Sequence, residues 1–134
     1  MAVLIHFLNA DLDLTSADDL TALAAVFETR GMHALHVTLG EDGQWWAMFE
    51  TNEYYEEPEQ TIAVILDAVE SFDPALHTIW QRCTRREIDI GYDCGDEPWA
   101  FNQALSSHLL GRMASAGLLL RITIYPDRET TSSD

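Results

Sequence analysis

Lysine is absent from this sequence, and basic residues of any kind are scarce. Seven arginines stand against 23 acidic residues in the 134 positions, which gives a formal net charge of −16 at pH 7. Without lysine, Schiff-base catalysis and lysine–phosphate contacts are excluded. A charge this negative repels nucleic acids and anionic membrane surfaces, because both carry phosphates. It attracts cationic proteins and accelerates their association.

Cysteines and long apolar stretches are also few. Cys83 and Cys94 are the only cysteines, which is too few for a disulfide-stabilised secreted domain, so we expect two reduced thiols. No apolar run approaches the ~20 residues that a membrane-spanning helix needs. The N-terminal stretch has no positive region and turns acidic by Asp11, which is unlike a signal peptide. These features predict a cytoplasmic protein that does not bind membranes.

Motifs for catalysis, cofactor binding and metal binding are missing as well. The sequence holds no G-x-S-x-G elbow, no P-loop and no G-x-G-x-x-G fingerprint. Cys94 lies among four carboxylates in the sequence, and negative neighbours disfavour the reactive thiolate. His33 and His36 fall on an expected strand, where an odd separation points two side chains to opposite faces and away from a shared metal. We therefore predict a protein that is not an enzyme and that has no metal and no cofactor.

Apolar periodicity runs through nearly the whole chain. Alternating apolar residues predict a hairpin over residues 33–51 and a strand at 87–92, with residues 99–104 as its hairpin partner. Apolar stripes at helical spacing predict four helices among the strands. The sequence therefore predicts one α+β domain over residues 1–126, with a largely antiparallel sheet of five or six strands and helices packed on one face. Residues 127–134 are predicted to form a polar C-terminal tail.

Residues 86–126, REIDIGYDCGDEPWAFNQALSSHLLGRMASAGLLLRITIYP, resemble the C-terminal half of a family of small uncharacterised bacterial proteins. The shared pattern is an amphipathic strand, a second strand that leads into Leu105 and Ser106, a helix, Gly117, and a final strand that ends in Tyr125. Some members of that family resemble immunity proteins, which neutralise toxins of neighbouring bacteria. The resemblance implies the fold of this half more than it implies a function, and it implies no catalytic residue.

The most unusual stretch is ETNEYYEEPEQT at residues 50–61, here named the acidic-aromatic segment. It contains five glutamates and two tyrosines, and residues 31–81 around it contain no basic residue. Glutamates beside Pro58 suit the start of a helix, where the helix dipole favours negative charge. That local role does not explain the acids and tyrosines that precede them. Upstream, Trp45 and Trp46 are adjacent on a strand, so one indole must point away from the core.

A second turn of similar composition follows at residues 93–99, after a strand that we expect to lie near the first. Tyrosine and tryptophan anchors within a charged rim are typical of tight protein interfaces. The alternative is structural, in that Tyr54 and Tyr55 fold back over the edge of the sheet. The predicted partner-binding residues are Trp46, Glu53, Tyr54, Tyr55, Glu56, Glu57, Asp96, Glu97 and Trp99.

These observations lead to two functional hypotheses. The first is a cytosolic immunity or inhibitor protein that binds a basic protein, such as a cognate toxin that acts on nucleic acid, and covers its active site with carboxylates. The alternative is a small-molecule or peptide-binding module that uses the sheet face and residues 99–103. A deep apolar pocket near Asn102 and Gln103 would favour the alternative. The identity of the partner and the oligomeric state stay open.

Overall fold

The computed structural model describes residues 3–126, which form one α+β domain of five strands and four helices. The predicted polar tail at residues 127–134 lies outside the described residues. Along the chain the elements are β1 (His6–Ser16), α1 (Thr21–Thr29), β2 (Met32–Leu39), β3 (Trp45–Thr51), α2 (Pro58–Glu70), α3 (Pro74–Arg82), β4 (Arg85–Asp93), α4 (Ser107–Ser115) and β5 (Leu119–Tyr125).

The five strands form one mixed sheet in the order β2-β3-β1-β4-β5. The β2–β3, β3–β1 and β1–β4 pairs are antiparallel, and β5 runs parallel to β4. A parallel neighbour requires a crossover connection, and here the loop at residues 94–106 and α4 supply it. The prediction of a largely antiparallel α+β sheet is confirmed, with five strands.

The expected strand at residues 99–104 does not form, and this part of the prediction is wrong. These residues belong to the irregular loop 94–106 that connects β4 to α4. The reason is topological. Strand β4 pairs with β1 on one side and with β5 on the other, so it has no free edge for a hairpin partner.

The core takes its strand residues from alternating positions, as expected for a sheet with one apolar face. On β1 the side chains of Ala10, Leu12 and Leu14 are buried in one cluster with Ile88 and Ile90 of β4. Helices α1, α2 and α3 add Phe27, Ile62 and Trp80 to the same cluster. The opposite face is here called the polar face, because β1 and β4 place Asn9, Asp11, Asp13, Glu87 and Asp89 there.

Three helices begin where the sequence places a capping signal. Pro58 occupies the first turn of α2, and the backbone N–H of Glu57 donates to the Gln60 side chain. Asp73 caps α3 by accepting from the backbone N–H of Leu76, and Ser106 caps α4 in the same way. These local signals are readable from sequence, because a cap needs only a side chain and the backbone two or three residues on. Across residues 3–126 the helices are too short or too polar to traverse a bilayer.

Candidate functional site

An apolar groove opens beside β5, between the core faces of β4 and β5, helix α4 and the loop 94–106. Its volume is about 530 Å³. Its walls are almost entirely hydrocarbon and aromatic ring, as is usual for ligand-binding clefts. The lining residues are Ile5, Ile90, Tyr92, Cys94, Phe101, Gln103, Leu105, Leu110, Leu120, Ile122 and Ile124.

The groove exists because α4 is anchored away from β5. The Arg112 guanidinium donates to Glu70 Oε1 at 2.8 Å and to Asp67 Oδ1 at 2.8 Å, so α4 is tied to α2 on the same face of the sheet. These carboxylates raise the pKa of Arg112 above its ordinary value. Helix α4 therefore leaves the core face of β5 uncovered, with Ile122 58% exposed and Ile124 63% exposed.

One polar group in the wall of the groove has no hydrogen-bond partner within residues 3–126. The Tyr92 side chain is 4% exposed, and its hydroxyl oxygen is buried without a bond to the protein. Burial, together with the negative charge of Glu57, raises the pKa of this hydroxyl above its ordinary value. An unbonded buried hydroxyl costs free energy, so an acceptor on a bound molecule would stabilise it. Gln103 is the other polar side chain nearby, and it donates to Glu57 at 3.3 Å.

Three carboxylates lie near the end of the groove where β4 finishes, and we call them the acidic rim: Glu57, Asp96 and Glu97. Glu57 contacts the groove residue Gln103. Asp96 and Glu97 follow Cys94, which also lines the groove. The rim thus adds negative charge to one end of an apolar surface.

The acidic rim is held in place by the first residues of the described chain. Asp96 Oδ1 accepts from the backbone N–H of Val3 at 2.8 Å, and the Glu97 carbonyl accepts from Ile5 at 2.8 Å. Gly95 permits this approach, since a Cβ there would collide with the backbone of residues 3–5. The rim is therefore a fixed feature rather than a loose turn.

The acidic-aromatic segment leaves the same end of the sheet as the loop 94–106. The Tyr54 hydroxyl donates to the Phe7 carbonyl at 3.0 Å, and its ring stacks on Phe7, yet the residue remains 68% exposed. Tyr55 donates to the carboxylate of Glu53 at 3.1 Å. Tyr54 thus makes a structural contact and also keeps an exposed surface, and its role in binding a partner stays a prediction.

The predicted site residues fall into two groups. Glu53, Tyr54, Tyr55, Glu56 and Glu57 follow β3, and Asp96, Glu97 and Trp99 follow β4; both strands flank β1 and end at the same side of the sheet. The Glu57–Gln103 contact joins the two groups.

Trp46 lies apart from both groups of predicted site residues. It lies near the start of β3, paired with Thr15 and Thr38, and is 40% exposed on the polar face. Its neighbour Trp45 packs against the core, as the alternation of a strand requires. Trp99 is 99% exposed, so its whole indole is accessible to a partner.

The alternative hypothesis named the sheet face and residues 99–103, and Phe101 and Gln103 do line the groove, but the contribution of β5 was not predicted. Residues 118–125 have the composition of a buried strand, and only the course of α4 reveals that β5 is uncovered. One signal was available in the sequence, because Leu109 and Leu110 are adjacent on α4 and cannot both face the core. In the structure Leu109 is buried, and Leu110 is 45% exposed at the groove.

The expectation that His33 and His36 point to opposite faces is wrong. A β-bulge between Ala34 and His36 shifts the register, so His33 pairs with Glu50 and His36 with Met48. Since Glu50 and Met48 share a face of β3, both imidazoles lie on the polar face. No three His, Cys, Asp or Glu side chains within residues 3–126 are grouped so as to hold a metal ion.

Both cysteines are free thiols. Cys83 is buried, and burial raises its pKa to about 11, which leaves very little nucleophilic thiolate near neutral pH. Cys94 is partly buried in the wall of the groove.

Comparisons of the chain with protein-family models, with curated proteins and with solved structures find no match. What the protein does must therefore be inferred from its own residues and their geometry.

Proposed function

We propose that this protein is a non-catalytic inhibitor of the immunity-protein type, which binds a basic protein in the cytoplasm and covers its active site. The observation that carries the proposal is the apolar groove with the acidic rim at its end, on a chain of net charge −16. Tight protein interfaces combine an apolar centre with a polar, charged border. A toxin that acts on nucleic acid is a fitting partner, since a cleft that binds phosphates also accepts carboxylates.

In this proposal the groove anchors an apolar segment of the partner. Strand β5 is an edge strand, and an extended segment can pair with such an edge while its side chains enter the groove. The Tyr92 hydroxyl then gains the hydrogen-bond acceptor that it lacks. The acidic rim pairs with the partner's cations, and exposed Trp99 adds an aromatic contact.

Matched substitutions at the two edges of the sheet test the groove. Ile122 on β5 and Leu39 on β2 are each 58% exposed, and each belongs to an edge strand. We expect a cationic protein to be captured from the native cells by the wild type and by Leu39→Glu, but not by Ile122→Glu. With the purified partner, Ile122→Glu should weaken binding at least roughly 30-fold, as loss of an interface hot spot does.

The outcome that would contradict the proposal is equal binding by Ile122→Glu and Leu39→Glu. Both variants add one negative charge to a chain that is already strongly negative, so a difference between them reflects position rather than charge. Melting temperatures of the two variants should agree closely, because both sites are exposed.

A second candidate function is the binding of a small apolar molecule with one hydrogen-bond acceptor. It is favoured by the volume of the groove and by the unbonded Tyr92 hydroxyl. Native mass spectrometry of the purified protein should then show a retained ligand of a few hundred daltons, which Tyr92→Phe retains less well. Reversal of rim charge by Glu97→Arg separates the two functions, because it weakens a basic protein partner and leaves an uncharged ligand unaffected.

A further inference from the structure

Three residues of β5 direct both their side chains and their backbone groups to unoccupied space. The side chains of Leu120, Ile122 and Ile124 line the groove. The Tyr125 carbonyl accepts from the backbone N–H of Cys94 at 2.9 Å, so it points toward β4. Successive residues of a strand direct their backbone groups to opposite sides. The N–H and C=O groups of Leu120, Ile122 and Ile124 therefore point away from β4, to the outer edge of the sheet.

This outer edge fixes the register of a strand that pairs with it. No strand lies beside β5 on that side within residues 3–126, and the backbone groups of an edge strand are a template for another strand. In an antiparallel pair, residues that exchange both hydrogen bonds lie opposite each other and share a face. A slip of one residue would turn apolar side chains to the polar face, beside Arg121 and Asp89.

The length of the exposed stretch sets how many side chains the groove accepts. A strand rises about 3.3 Å per residue, so Leu120 to Ile124 span about 13 Å. Three alternate side chains of an added strand fit that span, one beside each of the three β5 residues. The lining of the groove is apolar, so these three side chains should be apolar as well.

The acidic rim indicates which end of the added strand is basic. Strands β4 and β5 are parallel and finish at the same end, where Asp93 is the register partner of Tyr125. The rim residues Asp96 and Glu97 follow directly after β4. Antiparallel pairing is the more stable arrangement per residue, and in it the end near the rim is the N-terminal end of the added strand. A second copy of this chain is a poor occupant, since it carries the same charge of −16.

We propose that β5 binds an extended segment of the partner in the antiparallel direction, with basic residues followed by three apolar residues at alternate positions. The apolar residues pair with Leu120, Ile122 and Ile124, and the basic residues reach the acidic rim. This inference rests on the function proposed for the groove, and it specifies the part of the partner that the groove binds.

Three blocked peptides of identical composition test the order of residues. Acetyl-Arg-Arg-Val-Ser-Val-Ser-Val-amide has the proposed order, acetyl-Val-Ser-Val-Ser-Val-Arg-Arg-amide reverses it, and acetyl-Arg-Arg-Val-Val-Ser-Ser-Val-amide breaks the alternation. At about 0.15 M salt, where distant charges are largely screened, the first should bind at least roughly tenfold more tightly than the others in an NMR titration. Equal binding of all three, or tighter binding of the reversed peptide, would overturn the proposal.

A matched pair of N-methylated peptides tests the backbone pairing. Methylation of the central valine nitrogen removes the N–H that donates to the Ile122 carbonyl. Methylation of the next serine nitrogen removes an N–H that points to solvent. The first change should weaken binding roughly tenfold or more, and the second should have little effect. Equal weakening by the two methyl groups would overturn strand pairing.

Uncharged substitutions at the two sheet edges test the location. Ile122→Ser should weaken binding of the first peptide roughly tenfold, because a buried apolar contact is lost. Leu39→Ser changes an equally exposed residue on the other edge strand and should bind as the wild type does. Amide resonances of β5 should shift on binding, and those of β2 should not. Equal binding by the two variants would overturn the proposal.

Separate outcomes distinguish this inference from the proposed function. Capture of a cationic partner that is lost in Ile122→Glu, together with no binding of any peptide, would overturn strand pairing and leave the proposed function standing. Binding of the first peptide in the expected order, without a cationic partner, would support strand pairing and contradict the proposed function. A wild-type dimer at low salt, measured by sedimentation, would assign the edge to a second copy and overturn the proposal.

Discussion

The two edges of the sheet are built differently. Strand β2 is antiparallel to β3, is interrupted by a bulge between Ala34 and His36, and packs against α1. Strand β5 is parallel to β4 and keeps an unbroken register from Leu119 to Tyr125. Bulges and covering helices are devices by which proteins prevent other chains from pairing with an edge. The β2 edge has both devices, whereas β5 presents a regular apolar strand.

This difference makes β5 the edge that the proposed partner would use. Leu120, Ile122 and Ile124 are all exposed on the groove side of β5. A regular, exposed apolar edge is an aggregation hazard unless it is used for binding. The five predictions below test this contrast between the β2 side and the β5 side, or the strands between them, in order of decreasing expected effect.

The largest effect is expected at Arg86, which supports the β5 side. Its guanidinium donates to the carbonyls of Trp80, Gln81 and Cys83 at 3.0–3.1 Å and to the Gly117 carbonyl at 3.2 Å. It therefore holds the end of α3 against the turn that leads into β5. Arg86→Met should lower the free energy of unfolding by about 3 kcal/mol, because the carbonyls lose a charged donor. Urea denaturation measures this.

Arg30 is the matched control on the β2 side, where it follows α1 and is exposed. Arg30→Met should change the free energy of unfolding by less than about 0.5 kcal/mol. Hydrogen exchange should show that Arg86→Met loosens β5 before β2. Equal loss of protection in the two edge strands would contradict a specific role for Arg86 on the β5 side.

The second prediction concerns the acidic-aromatic segment, which begins at the end of β3. Tyr54→Ala removes a hydrogen bond to Phe7 and a stacked ring, and should cost about 1–2 kcal/mol of stability. Tyr55→Ala should cost less, since that hydroxyl bonds the exposed Glu53. Thermal melting of both variants provides the measurement.

The third prediction is that reversal of charge in the same segment affects the binding of a partner and not the stability of the fold. The double variant Glu53→Arg/Glu56→Arg should leave the melting temperature unchanged or raise it, because exposed carboxylates contribute little and repulsion is relieved. It should slow the association of a basic partner, with a smaller effect on dissociation. An association rate that does not respond to these reversals would show that the partner contacts other residues.

The fourth prediction concerns pH and the pairing of β1 with β4. The pKa of Asp11 is about 7 in the folded protein against an ordinary value of 3.8. Between these values the folded state holds more protons than the unfolded state. Stability from this group is therefore present at low pH and is lost as pH rises from about 4 to about 7.

Asp11→Asn isolates this contribution. Relative to the wild type, the variant should become more stable as pH rises from about 5 to about 8, as measured by melting temperature at each pH. Glu28→Gln serves as the control and should follow the wild type throughout. A difference between Asp11→Asn and wild type that is constant with pH would show that Asp11 titrates normally.

The smallest effect should appear as weak self-association through β5. At low salt the charge of −16 keeps copies apart, but at about 1 M salt the Debye length falls to roughly 3 Å. Sedimentation should then reveal weak dimers of the wild type and of Leu39→Glu. Ile122→Glu should remain monomeric, and dimers of Ile122→Glu would assign self-association to another surface.

Much of the secondary structure follows from local patterns in the sequence. Apolar alternation locates β3 and β4, and Pro58, Asp73 and Ser106 mark the starts of three helices. These features are predictable because they involve side chains and backbone within a few residues of each other. The strong negative charge and the acidic-aromatic segment are likewise properties of the sequence alone.

The failures arise where long-range pairing decides the outcome. Residues 99–104 have strand-like composition, but β5 occupies the edge of β4 that they would need. His36 changes face because a single extra residue bulges out of β2, and nothing in the local pattern indicates that bulge.

The sequence by itself determined the α+β composition, the starts of α2, α3 and α4, and the negative sign of the protein's charge, since each depends on residue type or on near neighbours. Tertiary structure alone decided the sites. The groove exists because α4 packs against α2 and the shared core and leaves β5 bare. Asp11 and Asp89 are neighbours because β1 and β4 align them, although they are 78 positions apart in the chain. Strand order and register bring such residues together, and both are set by the packing of the whole domain rather than by any local pattern.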